Sequence, residues 1–208
     1  ILCGDVNPSG RTIDTFVYDL TQTPTSNNFG NFTYTNMDEF KANAFGTDTI
    51  PAFVNYVEGI YVGYKFYETA AAEGLIDYDK TVVYPFGRGL SYTTFTQSLN
   101  SVTEADGTIT VDVTVTNTGS ASGKEVVEVY YNPPYTNGGI EKASANLIGF
   151  AKTSELAPGA SENVTVTFKA EDMASYDTYG KGCYVLEKGD YVISINADSH
   201  TVLDSKVY

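Results

Sequence analysis

Apolar and polar residues alternate with a strict period of two from Ile109 to Thr116: Ile109, Val111, Val113 and Val115 fall on one side, and Thr110, Asp112, Thr114 and Thr116 on the other. That period predicts a strand with one buried face, because successive side chains of an extended chain point in opposite directions. The alternation returns at Val164, Val166 and Phe168. Extended runs rich in β-branched and aromatic residues occupy Leu90 to Phe95, Glu125 to Tyr131, Leu147 to Phe150, Tyr184 to Leu186, Tyr191 to Ile195 and Thr201 to Val207. Gly119 to Gly123, Pro133-Pro134 and Ala157-Pro158-Gly159 interrupt them as turns. About seven short strands so punctuated, with no competing helical period, predict an all-β immunoglobulin-like sandwich over residues 91–208.

The preceding residues follow another pattern. From Thr12 to Gly46 neither period is sustained; Thr15 to Tyr18 reads as a short strand and the remainder predicts long loops, which are uncommon in an independent domain. Asn55, with Glu58 three residues on, has the form of a capping box, and Tyr56, Ile60, Tyr64, Tyr67 and Ala71 recur at helical spacing. A helix from Asn55 to Gly74 follows from that pattern, its aromatic stripe a packed face and Glu58 a cap instead of a catalytic carboxylate. Thr81 to Tyr84 predicts a short buried strand, after which Pro85, Gly87 and Gly89 prevent any regular element from continuing. The change of character at this seam divides the chain into residues 1–90 and 91–208.

Composition changes the picture only by exclusion. With 42% hydrophobic and 18% charged residues in a chain of 208, intrinsic disorder is not expected. A formal net charge of −14 without any basic cluster argues against nucleic acid or an anionic membrane as a partner. No apolar run approaches the ~20 residues that span a bilayer. Cys3 and Cys183 stand in different halves and read as free thiols, which leans towards a reducing, cytoplasmic compartment and leaves a secreted one open, since many secreted enzymes also lack disulfides. The first residue is Ile1, preceded by no Met or leader, and the expectation is a piece of a longer protein.

Three stretches carry a resemblance: Asn7-Pro8-Ser9-Gly10-Arg11, Glu58 to Lys65 (EGIYVGYK) and Thr81 to Phe95 (TVVYPFGRGLSYTTF). Together they resemble the C-terminal portion of family 3 glycoside hydrolases, the β-glucosidase and β-xylosidase family. In that family a YPFGxGLSYT run joins an α/β sandwich domain to a fibronectin type III-like domain. The resemblance implies a mixed fold here, a partial α/β sandwich segment followed by a fibronectin type III-like sandwich. Thr116 to Gly119, Gly123 to Val127, Pro158-Gly159 and Gly189-Asp190-Tyr191 extend it through the second half. The loop from Pro133 to Ala145 departs from the family pattern, with Glu141-Lys142-Ala143-Ser144-Ala145 before the next strand, and leaves open what it contacts.

The resemblance also implies a retaining hydrolysis of terminal β-linked sugars that needs no metal or cofactor. The nucleophilic Asp would belong to a barrel, and the acid/base Glu to the first part of the α/β domain, so no catalytic residue is carried over to this chain. Its partners would be those missing parts and the oligosaccharide or glycoside substrate. Arg11 and Phe86 are the candidates for a place near the mouth of the sugar site; their alternative role, with Arg88, Tyr84 and Tyr92, is to lock the seam. His200, the only histidine, has no oxyanion-hole motif beside it for Ser-His-Asp chemistry, and one His with two Cys is too few for a zinc site. Asn31-Phe32-Thr33 and Asn163-Val164-Thr165 fit the glycosylation triplet by its short pattern alone. A carbohydrate-binding or adhesion module, stacking sugars on its Tyr and Phe residues, is the reading from another class; the absence of Trp weakens it.

Overall fold

The computed structural model describes residues 1–28, 30, 32–36, 42–44, 47–49 and 52–208. Its N-terminal part holds short elements: β1 (Phe16–Val17), β2 (Phe32–Thr33), β3 (Ala42–Ala44), β4 (Thr47–Thr49), β5 (Ala52–Phe53), α1 (Tyr64–Ala72), α2 (Tyr78–Thr81) and β6 (Val82–Tyr84). β1 pairs antiparallel with β6, β2 with β5 and β3 with β4. Nine further strands follow: β7 (Phe95–Ala105), β8 (Thr108–Asn117), β9 (Val126–Asn132), β10 (Asn146–Lys152), β11 (Ser161–Lys169), β12 (Ser175–Tyr176), β13 (Tyr184–Val185), β14 (Val192–Asn196) and β15 (Val202–Val207).

Seven of these strands form two facing sheets, ordered β10-β9-β14-β15 and β11-β8-β7. The period-two pattern of β8 does what it predicts: Ile109, Val111, Val113 and Val115 are wholly buried, and Val164, Val166 and Phe168 of β11 stand in register beside Val113, Val111 and Ile109. Val127, Val129, Ile193 and Ile195 meet them from the opposite sheet. Burying side chains of this size contributes about 1.5–3 kcal/mol each, which makes this core the main source of the fold's stability.

Strand β9 is buried on both faces, which alternation alone does not require. Its outward residues, Glu128 and Tyr130, lie under α1, where Tyr64 meets Tyr130 edge-on with ring centroids 6.0 Å apart. The backbone N–H of Leu147 donates to the Tyr64 hydroxyl (2.9 Å), and that of Ser144 to Thr69 Oγ1 (3.0 Å). The Pro133 to Ala145 loop therefore contacts α1; Tyr61 also donates to the carboxylate of Glu141.

Three expectations need correction. The helix begins at Tyr64, not Asn55, because Gly59 and Gly63 take φ of 60° and 54°, a left-handed backbone that breaks the helical path. Its end is as expected, with Gly74 at φ 71° just beyond the last turn. The first sandwich strand starts at Phe95, while Leu90 to Thr94 bends across the junction. Tyr184 and Val185 pair with β12 in a separate two-stranded hairpin and belong to neither main sheet. The first glycosylation triplet includes Asn31, which lies outside the described residues; in the second, Asn163 sits within β11 and accepts from Thr114 (2.8 Å).

Candidate functional site

Chemistry-bearing side chains converge where the N-terminal part meets the sandwich. The Asn7 to Arg11 turn runs along the seam: Thr12 N–H donates to the Arg88 carbonyl (2.8 Å), Gly87 N–H to the Thr12 carbonyl (2.9 Å), and the Thr12 hydroxyl to the Pro85 carbonyl (2.7 Å). Asn7 bridges three segments, accepting from Tyr92 N–H (2.8 Å) and the Ser91 hydroxyl (3.1 Å) and donating to the Ser122 carbonyl (2.9 Å). Lys152 donates to the Ser9 carbonyl (2.8 Å). The guanidinium of Arg11 pairs with Glu125, both partly buried, and Gln97 donates to the same carboxylate (3.1 Å).

A second cluster surrounds Glu68, which is only 8% exposed. One carboxylate oxygen accepts from the hydroxyls of Tyr78 (2.7 Å) and Ser199 (2.9 Å), and the other lies 2.8 Å from Nδ1 of His200. The His200 ring stacks on Tyr78 with centroids 3.6 Å apart and planes 7° from parallel. Asp198 Oδ1 fixes the loop by accepting from the N–H groups of His200 (3.1 Å) and Thr201 (2.7 Å). Burial, then the charge and hydrogen bond of Glu68, push the Tyr78 phenol well above its ordinary range. It acts here as a donor and not as a base.

Glu128 is the third buried acid, 4% exposed, and accepts from the Tyr130 hydroxyl at 2.8 Å. Burial pushes its carboxyl up to about 7; the Tyr130 hydrogen bond and the Arg11 charge act the other way, and the charges of Asp198 and Glu125 add to the rise. Burial also raises Glu125, with Arg11 opposing it. Gly87, at φ 84°, lies so close to Glu128 that a Cβ there would strike its carboxylate. Gly89 leaves the same kind of room for Arg11: a Cβ would come within 2.8 Å of both the Arg11 Cδ and the Gly10 carbonyl.

The residues singled out in the sequence fall as follows. Arg11 is held by Glu125, and the Phe86 ring stacks on Tyr64 (4.8 Å) while its carbonyl accepts from Ser199 N–H (2.8 Å). The Arg88 guanidinium lies 5.4 Å from the Tyr84 ring centre, and the Tyr92 hydroxyl donates to the Ile1 carbonyl (2.8 Å). Glu58 is not a helix cap; it lies in the turns before α1. Sequence reasoning missed Glu68 and Glu128, both of which face partners far along the chain. Among the described residues no group of three or more His, Cys, Asp and Glu is placed to hold a metal ion, and no helix is long and apolar enough to cross a membrane.

Residues 125–199 match the model of the fibronectin type III-like domain. The chain is similar to β-glucosidase A of Butyrivibrio fibrisolvens, 39% identical over 209 residues, covering 92% of this chain and 22% of that protein. It is 36% identical over 202 residues to a β-glucosidase of Ruminococcus albus, covering 95% and 18%. The structure of β-glucosidase 3B from Thermotoga neapolitana in complex with glycerol superposes with a TM-score of 0.78 at 35% identity, over 100% of this chain and 25% of that one. The chain thus spans about a fifth of the length of the curated relatives it matches.

Proposed function

We propose that this chain, which matches the C-terminal part of family 3 β-glucosidases and carries their fibronectin type III-like domain, is the non-catalytic scaffold of a retaining hydrolase of terminal β-linked sugars. On this reading residues 1–90 are the tail of an α/β sandwich domain with its junction, and residues 91–208 are the fibronectin type III-like domain. The remainder of the parent, a barrel and the first part of the α/β domain, supplies the nucleophile and the acid/base. The free, exposed thiols of Cys3 and Cys183 fit a reducing, cytoplasmic setting.

The observation that carries the reading is where apolar side chains face solvent. They concentrate before the sandwich: Leu2 is 99% exposed, Ile13 91% and Tyr56 82%, with Leu20, Val57 and Leu75 also at the surface. A surface this apolar fits one that another part of the same polypeptide covers. The junction carboxylates, by contrast, are engaged: Glu68 by Tyr78, Ser199 and His200, and Glu125 by Arg11 and Gln97. We assign Arg11 and Phe86 to this junction instead of to sugar.

The test is complementation. β-Glucosidase A of Butyrivibrio fibrisolvens, truncated to remove the segment this chain matches, is mixed with the 208-residue chain. Partial return of β-glucoside hydrolysis is expected, and no return with both polypeptides soluble would count against the scaffold role.

A further inference from the structure

Helix α1 covers part of the outer face of the β10-β9-β14-β15 sheet, and beside it a cleft of about 460 Å³ stays open. Ala71 and Ala72 of α1 line it, with Tyr130, Ser194, Asn196 and Ser205 from the sheet and Ser199 and His200 from the loop between β14 and β15. The period of two decides which side chains of β14 enter it. Ile193 and Ile195 turn wholly into the core, so Ser194 and Asn196 face outward, Ser194 in register between Tyr130 and Ser205. Both are nevertheless buried, 8% and 2% exposed, which is uncommon for Ser and Asn on the outer face of a sheet. Ser194 Oγ and Asn196 Nδ2 have no hydrogen-bond partner among the described residues and, unlike the sealed Oδ1 of Asn196, keep surface that a molecule in the cleft can touch. Buried polar groups are nearly always paired, so two open ones at successive outward positions point to a ligand that meets them.

The lining also limits its chemistry. No Lys or Arg lines the cleft among the described residues, and its one carboxylate, Glu68, has both oxygens engaged by Tyr78, Ser199 and His200. Neither an anion nor a cation finds a free counter-charge. A purely apolar molecule would pack on Tyr130, Val192 and Val202 but leave Ser194 and Asn196 unpaired. A hydroxyl suits both, since it accepts from Asn196 Nδ2 and either gives to or accepts from Ser194 Oγ. We propose that the cleft beside α1 binds a small neutral polyol, one ring bearing several hydroxyls, with Ser194 and Asn196 as its hydrogen-bonding floor. The volume falls within the ~300–1,000 Å³ of small-molecule sites. Every group involved belongs to this chain, so the site does not depend on the scaffold reading.

The probe is D-glucose, titrated into the 208-residue chain while backbone amide resonances are followed, with cyclohexanol, a ring of the same size bearing one hydroxyl, as the control. Saturable shifts are expected at residues 71–72, 130–132 and 192–205 with glucose and not with cyclohexanol. Ser194→Ala removes one hydroxyl without adding bulk and should weaken binding about two- to tenfold, the net worth of one neutral hydrogen bond. Ala72→Phe, at an exposed position in the lining, should abolish binding by filling the cleft while leaving Ser194 and Asn196 in place. Absent shifts, equal shifts with cyclohexanol, or binding indifferent to either substitution would overturn the proposal. The same shifts on raising protein concentration alone, or on adding the truncated β-glucosidase A without sugar, would overturn it too, by naming a second copy or the parent polypeptide as the occupant.

Discussion

His200 Nδ1 lies 2.8 Å from Glu68 Oε2, joining a helix of the N-terminal part to the loop between β14 and β15 across 132 residues of sequence. The pair sits with Tyr78 and Ser199 around a single buried carboxylate, so it measures how firmly the two parts are held together. Glu68→Ala should lower stability by about 2–4 kcal/mol, since it strands two hydroxyls and an imidazole. Removing His200 as well should cost less than the sum of the single changes, because the two act through one contact. Denaturant titration of the single and double variants checks this, and strict additivity would contradict it.

Gly87 and Gly89 should not tolerate side chains, for different reasons. Gly87 combines a φ of 84° with a close approach to Glu128, whereas Gly89 is limited by Arg11 and the Gly10 carbonyl alone. Gly87→Val should therefore lower the melting temperature more than Gly89→Val, strain in the left-handed region adding roughly 1–3 kcal/mol to the clash. Unchanged melting for both variants would refute a rigid seam.

Arg11→Met keeps the aliphatic stem but leaves Glu125 without its cation. The pair is partly exposed, so the cost should fall on the order of 2 kcal/mol, below the 3–5 kcal/mol of a fully buried pair broken on one side. Glu125→Gln in the same background should recover part of it. If Arg11→Met proves neutral in thermal unfolding, Arg11 is not a lock.

Stability should depend on pH through Glu128. Its carboxyl is raised in the fold to about 7 from an ordinary 4.5, so the folded state holds the proton more tightly than the unfolded chain. This contribution is fully present below about pH 4.5 and is lost as pH rises through about 7, a change of roughly 3 kcal/mol. Urea midpoints taken between pH 4.5 and 8 should fall less steeply for Glu128→Gln than for the unaltered chain. Parallel curves would show that Glu128 carries no such linkage.

The sandwich was legible because its strands carry their instructions locally. Alternation in β8 and β11 marks which side chains face the core, and the corresponding residues are buried. What the sequence did not disclose depends on contacts distant along the chain. Glu128 and Tyr130 alternate with Val127 and Val129 and so read as solvent-facing, yet α1 covers them. Glu68 looks like one more polar position on a helix until the loop of Ser199 and His200 arrives beside it. The misplaced helix start has a local cause: helical spacing from Tyr56 to Tyr64 outweighed two glycines whose positive φ only the structure reveals. The partners of Arg11 and Phe86, Glu125 and Tyr64, were not readable from the turn and the seam alone.

The central claim, that this chain supplies scaffold and not catalysis, is tested most directly by its own turnover. The purified 208-residue chain is incubated with p-nitrophenyl β-glucoside and release of p-nitrophenol is followed. Retaining hydrolysis needs an acid and a nucleophile about 5–5.5 Å apart, and loss of either forfeits most of the rate enhancement. The account predicts no release above the rate in buffer. Measurable turnover by the chain alone, abolished by Glu58→Gln, Glu68→Gln or His200→Ala, would contradict it.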